Sequence, residues 1–296
     1  MINYSKSNYH AVAWDVSNPK AIVVIAHGMA EHAERYDGFA KYLNSQEISV
    51  HAIHHLGHGE AIEDIKGHFE KDGFDNCVDN IRNLILDLRK EHKLPIYLFG
   101  HSMGSFMSQA FIKKYSSDIE GVILCGSSKV GLLHYSGNIL TKVLFCLADN
   151  KKQNPFLNNL SFGSYNNNFK PARTDFDWLS RDEKQVDKYV EDDLCGFICT
   201  TGFYKSFFSG LSKLNKNIDD INKDLPIYII AGDKDPVGNN GKDVIKLCHN
   251  YLLHEIKDVE IKLYEGARHE ILNETNKEEV YNDVKDWLIK HIEALE

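Results

Sequence analysis

A serine framed by glycines, a late histidine and a pair of acids, each at the end of an apolar run, are the residues whose types and order could do chemistry. Gly100-His101-Ser102-Met103-Gly104 follows an apolar run ending at Phe99 and precedes a helical pattern that begins near Ser105. A sharp strand-to-helix turn of this kind lifts a serine hydroxyl clear of the sheet edge, where it can act as a nucleophile. Both flanking glycines have a steric reason, because a Cβ at either place would crowd the neighbouring strand or helix. The three fixed positions alone are weak evidence, since Gly and Ser are common. The strand before and the helix after carry the argument against a Gly-rich turn with an idle serine.

Ser102 needs a base. Pro226 to Ala231 empties into Gly232-Asp233-Lys234-Asp235-Pro236-Val237, which offers two acids, and Val259 to Tyr264 empties into Glu265-Gly266-Ala267-Arg268-His269-Glu270. An acid and then a histidine, each in a loop after a late strand, is the order expected of a triad built on such a turn. Of fifteen histidines, His269 alone lies in the loop that follows the last strand. An imidazole there can take the Ser102 proton, and either Asp233 or Asp235 would fix its tautomer and steady the imidazolium. Earlier, Ala21 to Ala26 runs into His27-Gly28-Met29-Ala30-Glu31-His32. This loop is suited to offer Met29 N–H to a tetrahedral intermediate, with Met103 N–H as the second donor.

The elements that must hold these residues are legible as apolar runs of strand length: Ala21 to Ala26, Ile48 to Ile53, Pro95 to Phe99, Gly121 to Cys125, Pro226 to Ala231 and Val259 to Tyr264. Continuous β-branched runs are the pattern of strands buried on both faces. Helical periodicity lies between them: Ile81, Leu84, Ile85 and Leu88 share a face, as do Phe106, Ala110 and Ile112 with Met107 and Phe111 nearby. Val280, Tyr281, Val284, Trp287, Leu288 and Ile292 mark a final helix. The alternation predicts an α/β fold, a mostly parallel twisted sheet flanked by helices. It breaks from about Ser127 to about Tyr204, which reads as a helical cap inserted at 127–204 between core segments 1–126 and 205–296. Seven Asn between Asn150 and Asn168 suggest a polar loop inside the cap. No internal repeat is visible.

Composition narrows the classes. In 296 residues, 43% hydrophobic and 26% charged, neither disorder nor membrane residence is suggested. A formal charge of −9 disfavours a nucleic-acid partner, which would require concentrated Lys and Arg. The polar stretch from Met1 through Tyr9 lacks the apolar core of a secretory signal, which points to the cytoplasm. The six cysteines read as buried free thiols, and Cys195 and Cys199, four apart, lack a second pair that would make a zinc site. His51, His54, His55 and His58 crowd eight residues without an interleaved carboxylate, so they read as a loop of solvent-facing or hydrogen-bonded histidines, not a metal centre. No metal or cofactor is expected, since side chains, backbone amides and water suffice and no dinucleotide or phosphate loop follows a strand.

With these segments in view the chain resembles the α/β-hydrolase superfamily, in particular its monoacylglycerol lipase and lysophospholipase branch of serine aminopeptidase S33 type. The segment His27-Gly28-Met29-Ala30-Glu31-His32-Ala33-Glu34-Arg35-Tyr36 is similar to that branch's oxyanion loop. Gly100-His101-Ser102-Met103-Gly104 is similar to its elbow, and Tyr264 through Glu270, with Asn273-Glu274, to its histidine loop. The resemblance implies that the acid is Asp235, three residues after the Gly that closes its strand, and that the cap covers the catalytic mouth. It also implies an acyl-enzyme on Ser102 and a small-molecule acyl ester as substrate, of monoacylglycerol or lysophospholipid type. A short-chain carboxylesterase, a thioesterase and a proline-type aminopeptidase share every catalytic residue, and a silent hydrolase fold that binds a ligand is the non-enzyme alternative. Leu132, Leu133, Leu140 and Leu144, with Ile139, Val143 and Phe145, are candidates to line an acyl channel, to touch a lipid surface transiently, or simply to pack the cap onto the core. One departure stands out: where the branch has an Asp and an Arg before its Gly-His-Gly turn, this chain reads His54-His55-Leu56-Gly57-His58-Gly59.

Overall fold

The computed structural model describes residues 1–131, 138, 139, 141, 143 and 147–295. Eight strands form one sheet: β1 Ile2–Lys6, β2 Tyr9–Trp14, β3 Ala21–Ala26, β4 Ile48–His54, β5 Ile96–His101, β6 Gly121–Cys125, β7 Ile227–Gly232 and β8 Val259–Tyr264. Their spatial order is β1-β2-β4-β3-β5-β6-β7-β8. From β4 to β8 every neighbouring pair is parallel, whereas β1 and β2 pair antiparallel and close one edge through β2 against β4.

The six expected strands are found within one or two residues of the expected limits; β1 and β2 were not among them. β1 alternates Ile and Tyr with polar residues and remains largely exposed at the sheet edge, so it lacks the continuous apolar run that marks a strand covered on both faces.

Residues of each central strand point alternately into two cores, as a period of two requires. Ile22, Val24, Ala26, Ile96 and Leu98 pack with helices α2 Gly73–Glu91 and α3 Met103–Tyr115. Val23, Ile25, Tyr97 and Phe99 pack with α1 Asp37–Asn44 and the C-terminal helix Lys277–Glu293. This layering is an α/β-hydrolase fold. The chain leaves β3 for β4 on one side and then returns past it to β5. The order therefore reverses between β3 and β5, and a crevice opens beyond the carboxyl ends of these two strands.

Between β6 and β7 the described residues form helices Pro155–Phe162, Glu183–Glu191 and Thr201–Leu211 with short 3₁₀ turns, and one isolated bridge, Gln153 to Thr200. The Asn-rich stretch is mostly helical, which corrects the expectation of a polar loop. Asn154 caps the first of these helices, its side chain accepting Leu157 N–H at 3.0 Å, and Pro155 occupies the first turn. The expected end of the insertion at residue 204 falls inside the helix Thr201–Leu211. No helix among the described residues is long and apolar enough to cross a membrane.

Gly100 and Gly104 let α3 lie directly on the sheet. A Cβ on Gly104 would overlap the carbonyl of Ala26 in β3, and one on Gly100 would strike Ser108 Oγ and the Gly104 carbonyl in α3. The obstacles to Gly104 are backbone atoms that cannot step aside. Gly104→Ala is therefore expected to lose about 3 kcal/mol or more of stability, read by urea unfolding against the wild type.

Candidate active site

β5 ends at His101, and the chain turns through Ser102 into α3 with φ +52° and ψ −116° at Ser102. A left-handed φ on a residue with a Cβ costs on the order of 1–3 kcal/mol and persists only where the surroundings enforce it. Here Ser102 N–H donates to Cys125 O at 2.9 Å, while the Ser102 carbonyl accepts from Ser105 N–H at 2.9 Å and Ser105 Oγ at 2.6 Å. The turn is thus locked from the β6 side and from the first turn of α3. Met103 opens that helix, where a backbone N–H has no partner within the helix.

His269 and Asp235 meet across 34 positions of sequence, with His269 Nδ1–H donating to Asp235 Oδ2 at 2.9 Å. Both side chains are buried, Asp235 completely. Asp235 is aimed by its own turn, its Oδ1 accepting Val237 N–H at 2.9 Å. Asp233, the rival acid, instead accepts Gly266 N–H at 2.7 Å and braces the loop that carries His269. Desolvation pulls the His269 imidazole towards a lower pKa, but the charge and hydrogen bond of Asp235, with help from Glu270 and Glu31, reverse this and leave it raised.

Ser102, His269, Met29 and Gly28 line one cavity of about 510 Å³. Its other wall comes from the segment between β6 and β7: Asn158, Asn159, Phe162, Asn166, Asp175, Phe176, Trp178, Leu179, Phe197 and Ile198. The Trp178 ring lies 5.0 Å from the His269 ring, and Glu270 N–H donates to Leu179 O at 2.7 Å. None of these wall residues was singled out by motif or periodicity. The sole hint was the Asn-rich composition, which marks a segment without saying where its side chains face. Leu132, Leu133, Leu140 and Leu144 lie outside the described residues. Ile139 and Val143 are exposed at 64% and 65% and are absent from the cavity wall.

A second group that spacing did not single out joins the two loops of the site. Glu31 accepts Gly28 N–H at 2.5 Å, Tyr36 O–H at 3.0 Å and Arg35 Nη1–H at 2.6 Å. Arg35 in turn donates to both oxygens of Glu270 at 2.7 Å. Burial pushes the Glu270 carboxyl up, and the Arg35 guanidinium more than offsets this, holding it well below the usual carboxylate range. This buried bridge ties the Met29 loop to the residue next to His269.

The four histidines of the β4 region are buried, 5% exposed or less, so of the two expected alternatives, solvent-facing or hydrogen-bonded, the first does not hold. His55 N–H donates to His27 Nε2 at 3.1 Å, and His58 Nδ1–H to Leu56 O at 2.9 Å. The rings of His55 and His58 lie 4.4 and 5.5 Å from that of His27. Desolvation first, then the neighbouring histidine charges, pushes His55 down to about 3. Burial likewise lowers His27 and His58, so at neutral pH the rings of His27, His55 and His58 are uncharged and pack against one another at the base of the Met29 loop. The five described cysteines are free and buried, as expected.

The chain matches the family described as serine aminopeptidase, S33, over residues 17–276, and it belongs to that family. It is 27% identical to a monoglyceride lipase homolog of Monkeypox virus across 99% of this chain and 98% of the relative. It is 28% identical to the monoglyceride lipase of Rattus norvegicus across 93% of this chain and 84% of the relative. Among solved structures, a thermostable carboxyl esterase from Bacillus coagulans in complex with glycerol superposes with a TM-score of 0.90 at 25% identity, over 98% of both chains. These likenesses and the fold define a carboxylic ester hydrolase of the α/β-hydrolase type.

Two outcomes follow from the site's electrostatics. If His269 is the general base, the acid limb of kcat/KM should lie above the ordinary histidine value, because Asp235 raises its pKa. Asp235→Asn removes that charge but leaves the desolvation, so the limb should move to lower pH while kcat falls about 10⁴-fold, as a pH–rate profile will record. Arg35→Met strands two buried carboxylates. It should cost about 3–5 kcal/mol in denaturant unfolding at neutral pH.

Proposed function

We propose that the chain hydrolyses monoacylglycerol-type esters through an acyl-enzyme on Ser102. The observation that carries the reading is the buried His269–Asp235 pair, 2.9 Å apart, whose histidine lines the same cavity as Ser102. In this mechanism His269 takes the Ser102 proton as the hydroxyl attacks the ester carbonyl, and Asp235 holds the imidazole in the required tautomer. Met29 N–H and Met103 N–H receive the developing oxyanion, each contributing roughly 3 kcal/mol in the transition state. His269 then gives its proton to the departing alcohol, and the same base activates the water that frees the acid.

Residues 127–204 act in this proposal as a helical cap that shapes the substrate. The cavity wall they supply is divided: Phe162, Phe176, Trp178, Leu179, Phe197 and Ile198 suit an acyl chain, while Asn158, Asn159, Asn166 and Asp175 suit a hydroxylated head. That division fits a lipid with a small polar group better than a simple acetyl ester. The names of the relatives, a viral monoglyceride lipase homolog and the monoglyceride lipase of rat, support the same substrate class. The five described cysteines, buried and free, suit a reducing compartment, and we assign the enzyme to the cytoplasm.

Hydrolysis of 1-monoacylglycerols and of nitrophenyl esters of increasing chain length, by wild type and Ser102→Ala, tests the proposal. Activity should rise with acyl length and fall by about 10⁶-fold in the variant. Activity confined to acetyl and butyryl esters would move the enzyme to short-chain esters, preference for aminoacyl amides would make it a peptidase, and activity retained in Ser102→Ala would overturn the mechanism.

A further inference from the structure

Beside the proposed catalytic residues, three side chains with metal-binding donors converge from two distant segments. His32 lies in the loop after β3, and Asp192 and Cys195 lie in the turn after the helix Glu183–Glu191. One donor atom from each falls within 4.8 Å of the other two. The turn is formed by its own hydrogen bonds: Asp192 Oδ1 accepts Leu194 N–H at 2.8 Å, and Cys195 N–H donates to Asp192 O at 2.9 Å. His32 is oriented as well, its Nδ1–H donating to Glu34 Oε2 at 2.7 Å while Nε2 faces Asp192 Oδ2 at 2.8 Å. A carboxylate on the far nitrogen is the device that fixes tautomer and ring orientation in metal-ligating histidines.

We propose that His32 Nε2, an Asp192 carboxylate oxygen and Cys195 Sγ form a binding site for a borderline divalent transition ion of the Zn²⁺ type. A thiolate and an imidazole exclude Mg²⁺ and Ca²⁺, which take oxygen ligands, and favour Zn²⁺. Three protein ligands leave a fourth position for water. Metal–ligand bonds of about 2.0–2.3 Å set tetrahedral donors roughly 3.5 Å apart, so on binding His32 Nε2 and Asp192 Oδ2 open from 2.8 Å while Cys195 Sγ, within 4.8 Å of a donor atom on each, completes the set. Charge also matches: Asp192 and the Cys195 thiolate neutralise the ion, and Glu34 adds a carboxylate behind His32. On binding, the Cys195 Sγ proton and the His32 Nε2 proton leave to solvent, and the sulfur and nitrogen lone pairs bind the metal. His32 and Cys195 are buried, whereas the Asp192 side chain is 33% exposed and gives the ion a way in.

The ion would join two segments that already meet. Tyr189 O–H and Gly196 N–H both donate to Ala30 O, at 2.9 and 3.0 Å, one residue beyond Met29. A bound ion adds a further tie between the turn and this loop, so the folded chain gains stability in its presence.

Full-length protein freed of metal with a chelator is titrated with Co²⁺ and then Zn²⁺. One equivalent of Co²⁺ should bind with a thiolate-to-cobalt charge-transfer absorption that Zn²⁺ displaces, and saturating Zn²⁺ should raise the unfolding temperature. Cys195→Ser should abolish the absorption. Asp192→Asn, at a partly exposed position, should keep the fold and weaken Zn²⁺ binding at least tenfold. Absence of stoichiometric binding, an absorption that survives in Cys195→Ser, or unchanged Zn²⁺ affinity in Asp192→Asn would each overturn the proposal.

Discussion

Everything at the site depends on how closely α3 approaches β3 and β5. The strand must stop at His101 and the helix must start at Met103, which leaves Ser102 alone to make the turn, at φ +52°. That conformation survives because hydrogen bonds from Ser102 to Cys125 and Ser105 hold it from both sides. The contact itself requires Gly100 and Gly104, whose missing side chains leave room for helix against strand. Ser102 is thereby fixed at the carboxyl edge of the sheet, beside the reversal of strand order, where Met29, His269 and Asp235 are also delivered.

Loops at a sheet edge have little to hold them, and here a buried charge bridge supplies the restraint. Arg35 lies between Glu31 and Glu270, so the loop bearing Met29 and the loop bearing His269 share one guanidinium. Such a bridge adds little net stability over a hydrophobic substitute, but losing one partner is costly, and that asymmetry favours a single arrangement of the two loops. Glu31 also receives Gly28 N–H, so the charge reaches the backbone one residue before Met29. Behind the loop, the uncharged rings of His27, His55 and His58 pack where His54-His55-Leu56 departs from the pattern of the related branch. The departure is accommodated within the core.

The segment between β6 and β7 contributes in another way. Its backbone pairs with the His269 loop at Leu179, its Trp178 ring covers the imidazole, and its Asn and aromatic side chains complete the cavity. The proposed function therefore assigns reaction class and substrate class to different parts of the chain. In this proposal the sheet and its edge loops hold the reacting groups, whereas the inserted helices present the surface that a substrate meets.

The sequence by itself determined the six central strands, the helices between them and the order of serine, acid and histidine. Each of these is local: a buried strand needs a continuous apolar run, a turn needs glycines, and a loop follows its strand. Residue types alone left Asp233 and Asp235 as rivals, and the resemblance to related enzymes favoured the second; the tertiary structure puts Asp235 on His269 and Asp233 on Gly266. Only the tertiary structure gave the Arg35 bridge, the buried histidines and the cavity wall, since these contacts join residues as far apart as Arg35 and Glu270. The exposed edge strand Ile2–Lys6 escaped notice for a related reason: its stability comes from hydrogen bonds to β2, not from an apolar pattern of its own. Local sequence specifies what an element is, whereas the facing of polar side chains across loops is decided by packing between elements that no short window of residues contains.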